Sequence, residues 1–466
     1  MTRRSILSQS YRRILFILFQ VVMIGTFIFV LITTTPLIDS LYYYPAIGPI
    51  SPQAIGDGTN QLHICWGEVY ILPNGSRRVV LKYQAPTQNM GPVIISEPFA
   101  FYWSPYNTWP YLEDIRTTLT CNPTGNIAIG WIQPISNGSM SPADGRGYFR
   151  IYNGTEWSTI QRLPNSNVLS KFQLQYGLNG TLYAFYLNYL TDSQWQLQYW
   201  EVGSGLPPIT LLDETSISPY YLRRSQLLAG FDGHLYFFCD NYSQDNFGLA
   251  FRSYQNGSWS QDEMVTDDTY GLDDWLVVMS PDETIHLVWP DYSGDVHYRY
   301  FYNQTWSVAT SVYTIRGRLL DLEVDSDNNL QLLGQEYYLP PPGPFVGALV
   351  SPFYLLKRIG TSWDSPIQLT DIPTDYSYVD LVMVNSHYSY LVHLQTFHSA
   401  SQLGYYTIDG SAVFLNSNFY VSTVSEMLFR YQLLLIAKGT IIIFGAMVFL
   451  PIVFVFLRRS FWRILR

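Results

Sequence analysis

Between residues 40 and 425 the apolar positions come in short runs, separated by small polar turns, with no helical period. Seven units align on a turn followed by a strand: TNQLHICW from Thr59, TGNIAIGW from Thr124, NGTLYAFY from Asn179, DGHLYFFC from Asp232, DETIHLVW from Asp282, DNNLQLLG from Asp327 and HYSYLVHL from His387. Upstream of each lies a further apolar strand, such as SQLLAGF or WLVVMSP, and downstream a third, VHYRYFY in the clearest copy. A hairpin phrase then recurs: IYNGTEWS at Ile151, SYQNGSWS at Ser253, YFYNQTWS at Tyr300 and KRIGTSWD at Lys357. A small polar pair between aromatic and β-branched residues is a strong hairpin signal, here leading into a fourth strand. Four antiparallel strands per unit, repeated at roughly 45 to 60 residues, predict an all-β fold, a seven-bladed β-propeller. A pair of β-sandwiches or an open solenoid accounts less well for a four-strand unit, and ring closure protects the strand edges.

The pattern changes at both ends. Ile14 to Ile32 is apolar apart from Gln20 and Thr26, close to the roughly 20 residues that cross a bilayer. Leu433 to Leu457 is the second such run. Arg3, Arg4, Arg12 and Arg13 precede the first, and Arg458, Arg459, Arg463 and Arg466 follow the second. Basic residues outside both spans place both tails in the cytoplasm and the middle outside. The expected organisation is a cytoplasmic tail (1–13), a transmembrane helix (14–38), an extracytoplasmic propeller (39–426), a second transmembrane helix (427–457) and a short cytoplasmic tail (458–466). A cleaved signal peptide is the rival for the first segment, but the run is long for one and no small-x-small site follows in TTTPLIDS. Lys438 lies near the outer end of the second span, where its stem can snorkel to the interface.

Charge sharpens this picture. The terminal pieces, 1–38 and 427–466, hold ten of the 26 basic residues and none of the 36 acidic ones, which leaves the middle with 16 against 36, a net charge of −20. Such a surface repels nucleic-acid phosphates, so no nucleic-acid role is expected. Aromatic residues are 17% of the chain, with 38 Tyr and 13 Trp, against 13% charged. That bias favours half-buried pleated surfaces.

Cys65, Cys121 and Cys239 are odd in number and lie in or beside apolar runs, so buried thiols are expected rather than a disulfide framework. Asn74, Asn137, Asn153, Asn179, Asn241, Asn256 and Asn303 open Asn-x-Ser/Thr sequons, candidate glycosylation sites that turn chemistry alone could also generate. Asp325, Asp327, Asn329 and Glu336 match part of a calcium-loop pattern, but Leu330 stands where that loop needs glycine. No metal or cofactor is expected.

The stretch SPDETIHLVWPDYSGDVHYRYFYNQTWS, Ser280 to Ser307, resembles a blade of the sialidase-like, Asp-box (BNR) propellers. That family places a Ser-x-Asp-x-Gly-x-x-Trp hairpin between the third and fourth strands of a blade. Gly154-Thr155-Glu156-Trp157 keeps the Gly-x-x-Trp half, Asn256-Gly257-Ser258-Trp259 and Asn303-Gln304-Thr305-Trp306 are shortened, and the Asp is replaced by Asn or lost. The family's Arg-Ile-Pro motif is absent. The resemblance implies a propeller over most of residues 50–415, and an arginine cluster that grips acidic sugars.

The register of the repeats supplies a candidate cluster. The position opening the innermost strand of successive units is Arg116, Lys171, Arg224, Asp274, Arg318 and Asp380. In a propeller these positions gather round the mouth of the central channel. Guanidinium groups there can hold a carboxylate or sulfate by bidentate hydrogen bonds. Mutual neutralisation of the same charges is the competing expectation.

Three functional classes follow. The favoured one is a non-catalytic surface module binding a glycan or another acidic ligand. A sialidase-type glycoside hydrolase needs two groups flanking the scissile bond; by resemblance its nucleophile would be a Tyr with a Glu partner, and Glu68, Glu323 and Glu336 are unranked candidates. The third is a membrane-tethered scaffold that holds a partner protein. Ser-His-Asp and Cys-His arrangements, phosphate loops and HExxH are all missing from the sequence.

Overall fold

The computed structural model describes residues 49–57, 61–71, 77–86, 91–100, 117–134, 145–165, 169–191, 194–214, 225–243, 246–266, 275–291, 293–314, 317–336, 352–369, 376–384, 388–397, 400–409 and 412–422. They form seven antiparallel sheets in the compact unit made by residues 47–396 and 401–422. Blades 1 to 7 cover residues 49–100, 117–162, 169–214, 226–264, 276–314, 317–369 and 376–422. Within each, chain order is sheet order, from the innermost strand outwards. In blades 1, 4, 5 and 6 the outermost strand is broken into two pieces that pair with the same third strand.

The innermost strands are Pro49–Gly56, Thr117–Cys121, Leu169–Tyr176, Gln226–Ala229, Leu276–Met279, Gly317–Val324 and Tyr376–Met383. Each touches the next, and the seventh returns to the first. The ring is closed with seven blades, as the repeat pattern predicts. The two apolar terminal segments lie outside the described residues; among those described, no helix is long and apolar enough to cross a membrane.

Seven hydrophobic clusters fill the seven seams between blades, because each blade buries both faces of its sheet. The second strand of blade 5, Ile285–Pro290, shows how the sequence encodes this. Ile285, Leu287 and Trp289 pack against blade 4, and Val288 packs against blade 6. A strand buried on both faces reads as an almost continuous apolar run, here broken by His286, whose Nδ1 meets Tyr298 Oη at 2.9 Å. Blade 1 repeats the device: His63 Nδ1 meets Tyr83 Oη at 2.7 Å.

The seam between blades 7 and 1 is closed by packing rather than by an exchanged strand, since each of these blades is one contiguous stretch. Val382, Val392, Leu394 and Leu403 meet Leu62, Ile64 and Trp66 there.

The Trp hairpins fall between third and fourth strands. Trp157, Trp259, Trp306 and Trp363 each wedge into the seam with the preceding blade. Asn256 and Gly257 have φ of 52° and 82°, and Asn303 and Gln304 of 48° and 62°, the two left-handed residues of a tight two-residue hairpin turn. The Ser after the Trp then accepts the N–H of the third strand: Ile151 to Ser158 Oγ, Ser253 to Ser260 Oγ and Tyr300 to Ser307 Oγ, each 3.0 Å.

Candidate functional site at the loop face and channel

The two faces of the ring are built differently. On one, the residue after each innermost strand donates its N–H to the carbonyl four residues on: Asp57 to Gln61, Asn122 to Asn126, Gly177 to Thr181, Gly230 to His234, Ser280 to Thr284, Asp325 to Asn329 and Val384 to Tyr388, at 2.8–3.0 Å. Short polar side chains cap these turns. Asn122 Oδ1 accepts the N–H of Thr124 and Asn126, and Asp325 Oδ1 accepts those of Asp327 and Asn329. The calcium-like run is therefore a capped turn of blade 6. Ser280, His286 and Asp282 are a capped turn of blade 5: Ser280 Oγ donates to Asp282 Oδ1 at 2.6 Å and Ser280 is fully buried. Burial also lowers the His286 pKa to about 4.

The opposite face carries the connections that vary. The second and third strands are joined by two residues between Ser243 and Asn246, but by residues 337–352 between Glu336 and Phe353. Between Ala100 and Thr117 the link from blade 1 to blade 2 is similarly extended. The chain also begins its first strand, at Pro49, and ends its last, at Ser422, on this loop face.

Inside the channel one register position links the blades. Counting three residues back from the last residue of each innermost strand gives Gln53, Thr118, Gln173, Gln226, Leu276, Asp321 and Asp380, polar in all blades but the fifth. Five of these side chains clasp the backbone of the next blade. Thr118 Oγ1 accepts Leu174 N–H at 3.1 Å. Gln173 accepts Leu227 N–H and donates to Leu227 O, at 3.3 and 3.1 Å. Gln226 Nε2 donates to Val277 O at 3.2 Å. Asp321 Oδ2 accepts Leu381 N–H, and Asp380 Oδ2 accepts Ala54 N–H, both at 2.8 Å. The innermost strands have an open edge toward the axis, and these bonds satisfy part of it.

Of the six expected mouth residues, Arg116, Arg224 and Asp274 lie outside the described residues. Lys171, Arg318 and Asp380 stand on the innermost strands of blades 3, 6 and 7. Lys171 is half-buried. Arg318 is exposed, with Nε and Nη2 both donating to Gln335 Oε1 at 3.1 and 3.0 Å. Asp380 sits deeper along its strand and forms the clasp to blade 1. Burial raises the pKa of Asp321, and the neighbouring Asp380 side chain partly offsets this.

The unranked glutamates are placed as follows. Glu68 pairs with Lys82 across blade 1. Glu336 accepts the Tyr354 hydroxyl, and burial together with this carboxylate raises the Tyr354 pKa. Glu323 shares the channel with Asp321 and Asp380; burial first, then repulsion from those two, raises its pKa well above the usual carboxylate range.

Asn153, Asn179, Asn256 and Asn303 are exposed at the turn face, and Asn241 lies in the second strand of blade 4. Asn74 and Asn137 fall outside the described residues. Thr305, the hydroxyl residue of the Asn303 sequon, donates to Tyr302 O at 3.1 Å, so that position also serves its turn. The three cysteines are free thiols, and burial pushes Cys121 up to about 12.

Sequence reading did not single out Arg150 and Arg299, seven residues before Trp157 and Trp306. Their Nε groups donate to Ser158 O and Ser307 O at 2.7 and 2.8 Å. Their Nη1 groups reach back to Ile95 O and Val265 O of the preceding blade, at 3.2 and 2.6 Å. Each guanidinium lies 5.9 and 5.5 Å from its Trp ring centre. The signal was available as Arg-x6-Trp-Ser, present in blades 2, 4 and 5.

No family model and no curated protein matches this chain. Among solved structures it is similar to a polysaccharide lyase, an ulvan lyase with bound saccharide, at 12% identity, covering 80% of this chain and 97% of that one, with a TM-score of 0.44. A lectin mutant from Aleuria aurantia in complex with Fucalpha1-6GlcNAc gives 12% identity, 79% and 94% coverage and a TM-score of 0.38. The intramolecular trans-sialidase from Ruminococcus gnavus gives 12%, 78% and 95%, with 0.37. Likenesses this distant contribute nothing to the assignment, and the propeller rests on its own strand order and ring closure.

Proposed function

We propose that this chain is a membrane-anchored, non-catalytic propeller whose loop face binds an acidic ligand, a glycan in the first instance. The observation that carries this reading is the asymmetry of the two faces. Seven near-identical tight turns make one face uniform, whereas the variable connections and the openings of the innermost strands share the other. Binding residues concentrate on variable loops held by a rigid scaffold. Arg318 adds a cation aligned on that face by Gln335, which lowers the ordering cost of gripping an anion. Arg116, Lys171 and Arg224 would complete the grip, with Asp274 at the rim. The Trp hairpins between third and fourth strands support the finer kinship to Asp-box propellers.

Both tails are cytoplasmic in this reading and the propeller is outside. The test is an acidic-glycan array probed with the full-length chain in detergent, followed by Lys171→Ala/Arg318→Ala. Charge-assisted hydrogen bonds contribute on the order of 1.5–3 kcal/mol each, so the double change should weaken binding by roughly 100-fold. An array with no acidic hit would leave the scaffold reading, in which the same face holds a partner protein.

A further inference from the structure

At the Trp hairpins of blades 2, 4 and 5, the third-strand residue paired with the Trp is itself a ring, and it closes on an aromatic residue of the blade behind. Tyr152 and Trp157 meet Tyr83 at 6.5 and 5.0 Å between ring centres. Tyr254, paired with Trp259, meets Tyr199 at 5.9 Å. Phe301 and Trp306 meet Phe251 at 4.9 and 5.3 Å. Blade 6 breaks the pattern. The residue paired with Trp363 is Arg358. Its guanidinium lies 4.9 Å from the centre of the Tyr298 ring of blade 5, and Trp363 meets the same ring edge-on at 5.5 Å.

Arg358 is only 9% exposed, and its Nε is buried with no hydrogen-bond partner. Trp363 Nε1 is buried and unpartnered too. Trp259 and Trp306 leave the same indole N–H open, but the residue paired with each is Tyr or Phe. Among the described residues, no carboxylate is ion-paired with Arg358. Arg150 and Arg299, by contrast, each hold two carbonyl oxygens. Asp282, on the turn of blade 5, is committed elsewhere: its Oδ1 takes Ser280 Oγ and Thr284 N–H, and its Oδ2 takes Asn328 Nδ2. A guanidinium in a protein stays charged, and burying it without an acceptor is costly. Its contact with the Tyr298 face offsets part of that cost; a planar oxyanion fitted to its fork would offset the rest. Beside the pair, Tyr300 packs 6.2 Å from Tyr298 yet is 39% exposed, and Ile359 is 50% exposed. Both offer apolar surface to a sugar ring.

We propose that the seam between blades 5 and 6, at its turn-face end, is an anion site in which Arg358 and the Trp363 indole N–H hold the carboxylate of an acidic sugar.

This site is separate from the loop face and does not depend on it. The test is calorimetric titration of the full-length chain in detergent with glucuronate, and with glucose as the uncharged counterpart. Wild type should bind glucuronate and not glucose. Arg358→Tyr restores the residue found in blades 2 and 4, so the seam should stay packed while glucuronate binding is lost and the ligand no longer raises the melting temperature. Trp363→Phe keeps a ring and removes only the N–H, and it should weaken binding by about tenfold. Lys171→Ala/Arg318→Ala, which alters the loop face, should leave this binding unchanged, so the two sites can fail separately. A wild-type chain that takes up no glucuronate, glucose bound as tightly as glucuronate, or wild-type affinity in Arg358→Tyr or Trp363→Phe would overturn the proposal.

Discussion

At the scale of single residues, the seams set the tolerances. Gly130, in the second strand of blade 2, faces the Phe172 ring of blade 3, and an added Cβ would lie 2.3 Å from Phe172 Cε1. Phe172 is itself buried among Leu169, Leu174 and Tyr186, so the ring has little room to retreat. Gly130→Ala should therefore cost about 1–3 kcal/mol through overpacking, measurable as a lower midpoint in urea. An unchanged midpoint would mean that the seam between blades 2 and 3 can open without penalty. Arg150 and Arg299 carry a comparable lesson. In sequence they look like ordinary strand charges; in the ring each joins its own hairpin to the blade behind.

At the scale of elements, the turn-strand units and the Trp hairpins were legible because their causes are local. A left-handed Asn-Gly pair and an alternating strand declare themselves within a dozen residues. The clasp position was not legible. It mixes Thr, Gln and Asp with one Leu, and what unites five of them is a partner in the next blade, 51 to 326 residues away. The charged positions were read from the same register, yet Asp380 proved to sit deeper along its strand than Lys171 and Arg318: it stands three residues before the end of its strand, against five and six for the other two. Gln173 makes two bonds across one seam, so Gln173→Leu should leave Leu227 N–H and O short of partners. A loss of about 1–3 kcal/mol is expected, with faster amide exchange at Leu227 as the local readout. Wild-type protection at that amide would show that the clasp is dispensable.

At the scale of the whole molecule, the fold follows from seven repeats, while the proposed membrane arrangement rests on the sequence of the ends. Eight arginines flank the two apolar segments, and no acidic residue occurs in 1–38 or 427–466. Protease added to intact cells should remove the propeller and leave tags at both termini protected. Digestion of either terminal tag from outside would reverse the topology.

The closing seam has a mechanical meaning. The first and last strands of the ring lie in blades 1 and 7, and both ends leave on the same face. Tension between those ends is therefore carried across a single junction, where seven apolar side chains and the Asp380 bond to Ala54 stand in for a peptide connection. The other six junctions are bridged by the chain itself. Drawn apart by its ends, the propeller would part at one predetermined place and uncoil blade by blade from there, which makes that seam the element of the fold most exposed to force.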